Sequence, residues 1–491
     1  MNDQIDLASR AKGFSFYLWE MQLAIRQYIS TSAGFRCVAA SLEIFSCYFG
    51  INSMSYTTIR RWLLYYGYYL LLHEQPKRDG DWVFINDFSI KLGKEKCFLI
   101  LGASLQQMRK TGFNLTHKNV SVLDIVVTSQ SNSKLVRERL ELVSSRVGEP
   151  VQIVGDGGSD IKKGNCLFCQ DHPGVVYTYD ISHKIGCLLK ALLEGDRLWQ
   201  SLLVDINVTL QKVQQTELSF LRPILPRKKS RYLNISILIH WLANIFSYQD
   251  KKDFSLIGNG YVIHPESIYR LTDSIHDEQI QASLLTMIKQ VFVCEDALID
   301  KLSSILGEKA EKEQIMIIDM SKQRFLEKFG LFEQYRDFMI DLTEAIALIN
   351  RIQRLVKNKG LSELTIKTIK SEVEKQDLKG EKTVTIYRQI MAYLKEELSK
   401  LGNSAEAYLA CSDVEESLFG KYKYKLAERM GGIYETLFIL PVFCSDLNPQ
   451  EIKFACEKYN MKTIKNAFLE MTGQSIQSKR RKAFSNGYLS N

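Results

Sequence analysis

Apolar residues recur at helical spacing from Phe16 to Ile29 and again from Val38 to Phe49. The polar turn Gly50-Ile51-Asn52-Ser53-Met54-Ser55 follows, and then Tyr56-Thr57-Thr58-Ile59-Arg60-Arg61-Trp62-Leu63-Leu64. Helix, short turn and a second helix opening on Thr-Thr-Ile-Arg-Arg is the pattern of a helix-turn-helix. In that reading Thr57 and Thr58 cap the helix or touch phosphate, and Arg60 and Arg61 reach phosphate or base edges. An ordinary helical hairpin with a solvated basic face fits the same pattern.

The period then changes. Trp82-Val83-Phe84-Ile85-Asn86-Asp87 is a buried-strand pattern ending in an acid. Cys97 to Gly102 is a second apolar run, joined to the first through a turn at Gly93, and Val122 to Thr128 is a third. Asn132 to Val147 has helical spacing. Val151-Gln152-Ile153-Val154-Gly155-Asp156 is a fourth strand, again closing on an acid, and Val175 to Asp180 is a fifth. The order β-β-β-α-β-α-β, three meandering strands and then alternation, is the start of an α/β, RNase H-like mixed sheet. Beyond it the strand signal vanishes. Long amphipathic segments such as Gln281–Val293, Phe325–Leu355 and Val384–Leu401 predict an all-helical region, and further helices surround Asp413-Val414-Glu415-Glu416-Ser417-Leu418-Phe419-Gly420. The predicted domains are a helical DNA-binding domain at 1–78, the first part of the core at 79–190, an all-α insertion at 191–405, and the second part of the core at 406–491. The last ends in the basic stretch Ser478-Lys479-Arg480-Arg481-Lys482.

Composition narrows this little. The 491 residues are 45% hydrophobic and 24% charged, an ordinary globular balance that sets disorder aside and suits two to four domains. Lys plus Arg at 64 against Asp plus Glu at 56 gives +8, compatible with nucleic acid without demonstrating it. Ten scattered cysteines suit buried thiols in a reducing compartment. Residues 1–12 lack the apolar core of a signal peptide, and no apolar run approaches the roughly 18–20 residues of a membrane span. A cytoplasmic, nucleoid-associated protein is expected.

The acids at strand ends suggest chemistry. Cleavage and transfer of phosphodiesters by two metal ions needs carboxylates converging on ions about 4 Å apart. Mg²⁺ takes hard oxygen ligands and keeps several waters, so few protein ligands suffice. Asp87 and Asp156 each close an apolar run, where a charge is unusual. In an RNase H-like sheet their strands lie side by side. Gly157-Gly158-Ser159-Asp160 reads as a turn that leaves Asp156 exposed, with Asp160 as a helix cap. Asp180 reads as a cap or as a fourth acid. Cys166, Cys169 and His172 lack the second ligand pair that a structural zinc site usually has.

Four blocks resemble bacterial insertion-sequence transposases of the DDE kind. They are Ile85 to Lys96, with Asp87; Gln152 to Gly164, with Asp156; Tyr179 to Ile185, with His183; and Glu415 to Lys423. Thr57 to Tyr69 resembles the DNA-binding helix upstream. The resemblance implies an RNase H-like core whose triad is Asp87, Asp156 and Glu416, holding two Mg²⁺ ions for which Mn²⁺ can substitute. It implies an all-helical insertion before the Glu helix, as in hAT-type and IS4-type enzymes, where a His near the position of His183 lies close to the active site. Lys421 and Lys423 would contact the phosphate backbone. The expected substrates are double-stranded DNA, namely terminal inverted repeats and a target, and a homodimer is expected on paired ends. Adjacent residues on a helix point about 100° apart, so Glu415 stays an alternative to Glu416. A non-catalytic helix-turn-helix regulator and an RNase H-like nuclease without strand transfer are the rival readings.

Overall fold

The structure, a computed structural model, describes residues 7–73, 77–78, 80–92, 95–224, 235–250, 279, 324–402, 405–427, 435–472 and 484. The Gly93 turn, the Gln281–Val293 segment and the basic stretch 478–482 lie outside them. Three helices open the chain: α1 (Leu18–Ser30), α2 (Phe35–Phe49) and α3 (Tyr56–Leu72). Then come β1 (Trp82–Leu92), β2 (Glu95–Ser104), the short α4 (Leu105–Thr111), β3 (Ser121–Thr128), α5 (Ser133–Val147), β4 (Pro150–Gly155), α6 (Ser159–Asp171), β5 (Val176–Tyr179) and α7 (Ile181–Glu194). From there to Lys400 the described elements are helical, namely α8 (Arg197–Val213), α9 (Ile235–Asp250), α10 (Arg336–Lys359), α11 (Glu363–Glu374) and α12 (Glu381–Lys400). The chain continues with α13 (Asp413–Tyr422), α14 (Leu440–Cys444), α15 (Pro449–Lys458) and α16 (Met461–Thr472). No helix among the described residues is long and apolar enough to cross a membrane.

The five strands form one mixed sheet in the order β3-β2-β1-β4-β5. β1 pairs antiparallel with β2 and β2 with β3, whereas β1–β4 and β4–β5 are parallel. Because strand side chains alternate between faces, the sheet has two cores. Val83, Ile85, Leu99, Leu101, Ile125 and Val154 pack in one cluster with residues of α1 to α3 and of α13 to α16. Phe84, Phe98, Ile100, Leu123 and Ile153 pack on the other face with Val136, Leu140 and Val143 of α5 and Phe168 of α6.

The chain divides into two compact units. One comprises Met1–Lys184, Ile352–Glu372 and Ala392–Asn491; the other comprises Ile185–Arg351 and Val373–Met391. Position 78 is therefore a change of secondary structure and not a boundary of packing. The reason lies in α3, which buries Ile59, Trp62, Leu63, Leu64, Tyr65, Tyr66 and Tyr69. A helix apolar on nearly all sides must be enclosed. At Gly67 a Cβ would stand 1.7 Å from the carbonyl oxygen of Phe438, so helix and C-terminal segment touch backbone to backbone. The predicted insertion at 191–405 is likewise divided, since 352–372 and 392–402 pack with the sheet. In the second unit Asp341 accepts from the backbone amides of Lys382 (2.9 Å) and Thr383 (3.0 Å), which starts α12 beside α10.

Candidate functional site

Asn86 of β1 stands opposite Gly155 of the parallel β4, so Asp87 and Asp156 follow on neighbouring strands at the same level. Both are part-buried. A buried amide pair beneath them ties the strands to α6: Asn86 Nδ2 donates to Asn165 Oδ1 at 2.8 Å. Gly155 makes room for that pair, since a Cβ there would lie 2.7 Å from Asn86 Oδ1. Gly157 is equally constrained, because a Cβ would meet the Tyr179 ring at 2.4 Å. Tyr177 donates its hydroxyl to the Asp156 carbonyl at 2.7 Å, and Asp156 Oδ1 accepts from the Gly158 amide at 3.0 Å. The loop thus fixes Asp156 from both sides. Asp160 sits in the first turn of α6 and accepts from Ser131 at 2.9 Å.

Asp87 shares a face of β1 with Val83 and Ile85, the face against which α13 packs. The acid that α13 turns toward it is Glu415. Glu415 is 1% exposed, no side chain donates to either of its oxygens, and the Asp87 backbone is the polar group beside it. Burial, then the carboxylates of Asp87 and Asp156, push its carboxyl well above the usual range. Burial and Asp156 push Asp87 up to about 7, with a smaller push from Glu416. Glu416, to which the resemblance gave the third ligand position, has a side chain 55% exposed, and its Oε1 lies 3.5 Å from His183 Nε2. Burial raises its carboxyl and His183 opposes the rise. The reason is helical geometry, and it was available in the sequence. With Val414 set at 0°, Leu418, Tyr422 and Phe419 fall at about 40°, 80° and 140°, so Glu415 at about 100° is inside the apolar stripe and Glu416 at about 200° is outside it.

His183 lies in the first turn of α7. Its Nδ1 is 3.3 Å from Asp180 Oδ1, and that hydrogen bond, set against burial, pushes the imidazole up to about 9. It is therefore a cation at neutral pH, between buried Asp180 and part-exposed Glu416. Asp180 is a cap, as its place in the sequence suggests, and accepts from the His183 amide at 2.8 Å.

The other residues singled out in the sequence lie apart from this cluster. Ser55 Oγ caps α3, accepting from the Thr58 amide at 3.2 Å and lying 2.8 Å and 3.0 Å from the hydroxyls of Thr57 and Thr58. Arg60 is held by Glu435 at 2.6 Å, whereas Arg61 is exposed. Lys421 is part-buried, with Nζ 4.8 Å from the centroid of the Phe443 ring, and burial pushes its ammonium down. Lys423 is exposed. Both nitrogens of His172 are engaged by Glu149 (2.7 Å) and Glu141 (3.0 Å), which removes it from any zinc set with Cys166 and Cys169.

One trio of ligand-type atoms among the described residues lies within 4.8 Å of one another: Asp180, Cys411 and Asp413. Hydrogen bonds already occupy its carboxylates. Asp180 takes Ser412 and His183, and Asp413 takes Ser182 and Lys357. Burial pushes the Cys411 thiol well up, which disfavours the thiolate a metal would need. Asp87, Asp156 and Glu415 are not such a trio. Ligands divided between two ions about 4 Å apart need not all meet at one point. The oxygens of Asp87, Asp156 and Glu415 are hard donors, no side chain donates to those of Glu415, and neighbouring carboxylates raise the Asp87 and Glu415 carboxyls, so this set fits divalent cations such as Mg²⁺.

No family model and no curated protein matches the sequence. Among solved structures, the Drosophila P element transposase strand transfer complex superposes over 93% of this chain and 94% of that chain, at a TM-score of 0.36 and 12% identity. A likeness of that size carries no argument about the chemistry of this chain.

Sequence reasoning missed the polar stitching behind the site. Gln152 is fully buried in β4 and its amide grips the backbone of Leu409, donating to the carbonyl at 2.7 Å and accepting from the amide at 3.2 Å. The signal was a lone Gln inside an apolar run, which demands a partner.

Proposed function

We propose that this chain is a metal-dependent DNA phosphodiesterase of the DDE transposase kind, with an RNase H-like core and with Asp87, Asp156 and Glu415 as its metal ligands. One observation carries the reading: Glu415 is buried with no side-chain donor to either oxygen, beside two further acids. A buried carboxylate without a donor costs several kcal/mol, and a cation is the partner that repays the burial of three. The strand order β3-β2-β1-β4-β5, which brings the two aspartates together, supports the RNase H-like reading. The four sequence blocks resembling insertion-sequence transposases support transfer to DNA.

Bound ions would supply Lewis-acid stabilisation of the charge developing at phosphorus. The protein's own groups do the rest. The parallel strand pair and the Gly157 loop hold Asp87 and Asp156 rigidly, so little reorganisation is needed. The His183 imidazolium holds Glu416 outside the metal set and offers positive charge to a phosphate approaching Asp156. Arg61 and Lys423, both exposed, would contact the DNA backbone.

The test is incubation of the full chain with Mg²⁺ or Mn²⁺ and DNA carrying the inverted repeats that flank its own locus. Nicking at the repeat boundary and joining to target are expected, both abolished by Asp87→Asn, Asp156→Asn or Glu415→Gln. Nicking without joining would make the chain a nuclease. Binding without cleavage would make it a regulator.

A further inference from the structure

We propose that Asp180 is a positioning residue that sets the Glu415 carboxylate by pinning the start of α13 to the end of β5. The inference rests on the reading of Glu415 as a metal ligand. Asp180 is fully buried. Its Oδ2 accepts from the Ser412 amide at 2.6 Å and from the Ser412 hydroxyl at 2.9 Å, across a separation of 232 residues. Its own amide donates to the carbonyl of Gly155 at 3.0 Å, one residue before Asp156. Asp180 thus contacts the strand end that carries one acid and the helix start that carries another.

The register of α13 decides which Glu faces the aspartates. A slip of one residue turns the helix by about 100° and would bring Glu416 inward. The intervening chain is more than two hundred residues long, so sequence proximity cannot hold that register. Hydrogen bonds between the 409–413 segment and the sheet do so. Ile181 donates its amide to Ala410 O at 2.9 Å, Gln152 grips Leu409, and Ser182 Oγ donates to Asp413 Oδ1 at 3.2 Å. Asp180 is the one member of this set that bonds the backbone of α13's N-cap residue, Ser412, with a buried charge, and such bonds are about twice as strong as neutral ones. The Glu415 amide in turn donates to Ser412 O at 2.9 Å, so the pinned residue leads directly to the ligand.

Mn²⁺ binding to the full chain, measured by titration calorimetry, tests this with Glu415→Gln as reference. Asp180→Asn should weaken Mn²⁺ about 10- to 100-fold, the range for residues that orient metal ligands. Ser412→Ala keeps the backbone donor and should weaken it about threefold to tenfold, with Ser412→Thr restoring affinity to within about twofold. A residue that only stabilises the fold would lower the melting temperature without this ordered effect on affinity. Wild-type binding that is sensitive to Glu415→Gln but unmoved by Asp180→Asn and Ser412→Ala overturns the positioning role alone. Absent binding, or binding indifferent to Glu415→Gln, overturns the metal reading and the positioning role with it.

Discussion

The sharpest contrast the structure offers is between neighbours, Glu415→Gln and Glu416→Gln. Glu415 is fully buried, and burial with the neighbouring Asp87 and Asp156 pushes its carboxyl well above the usual range, which favours the protonated form in metal-free protein. Glutamine mimics that protonated form, and the metal-free melting temperature should barely change. The loss appears on adding metal. An ion at 100 times its dissociation constant stabilises the native state by about 2.7 kcal/mol. If removing the ligand weakens binding about 100-fold, the same concentration contributes only about 0.4 kcal/mol. At roughly 2–4 °C per kcal/mol, the Mg²⁺-induced rise in melting temperature falls from about 5–10 °C to about 1 °C. Cleavage should drop at least about 1,000-fold, roughly 4 kcal/mol of transition-state stabilisation. Glu416→Gln loses an ion pair to His183 at 3.5 Å from a side chain 55% exposed. Such pairs contribute about 0–1 kcal/mol, so cleavage should stay within about tenfold and the metal response should persist. Thermal melts in EDTA and in Mg²⁺, run beside the cleavage assay, read both variants. Cleavage that survives Glu415→Gln and dies with Glu416→Gln would refute the assignment of the inward-facing acid.

Four further predictions concern the same unit. Asp87 rises from 3.8 to about 7 on folding, so its contribution is complete below about pH 4 and is lost as pH climbs through 7. In EDTA the wild type should therefore lose stability relative to Asp87→Asn between pH 5 and 8, by about 2.5 kcal/mol; a flat difference between the two would contradict the electrostatic account. Gly67→Ala places a Cβ 1.7 Å from the Phe438 carbonyl oxygen and should destabilise by more than about 3 kcal/mol, visible as a large drop in melting temperature or loss of soluble protein. Arg60→Ala, which removes the ion pair with Glu435, should cost about 1 kcal/mol of stability and leave DNA affinity intact. Arg61→Ala should do the reverse, weakening DNA binding across sequences and reducing the salt dependence by about one ion. An unchanged salt slope would remove Arg61 from the interface.

Much of the sheet was legible because its strands are apolar runs of the right length bounded by turns, and because two of them close on acids. The pairing of β1 with β4 follows from the order of elements, and with it the meeting of Asp87 and Asp156. The inward face of α13 was also legible, in the angles of Val414, Leu418, Phe419 and Tyr422, whereas the family resemblance points to Glu416. Helix α3 teaches the same lesson. Trp62-Leu63-Leu64-Tyr65-Tyr66 leaves no polar face along its middle, which marks a helix that must be enclosed before it marks one that reads DNA. The contact between Asp180 and Ser412 was beyond reach. Nothing local in either segment names a partner 232 residues away.

That separation also has a temporal side. A ribosome adds about 5–20 residues per second, so the 232 residues between Asp180 and Ser412 take roughly 10–50 s to synthesise. During that interval the nascent sheet holds Asp87 and Asp156 with no third acid, and one face of β1 waits for helices not yet made. On the proposed reading, the third ligand is therefore the last of the three acids to be translated. On the proposed reading, a product ending before Asp413 carries the paired aspartates without the third ligand and is expected to be inactive.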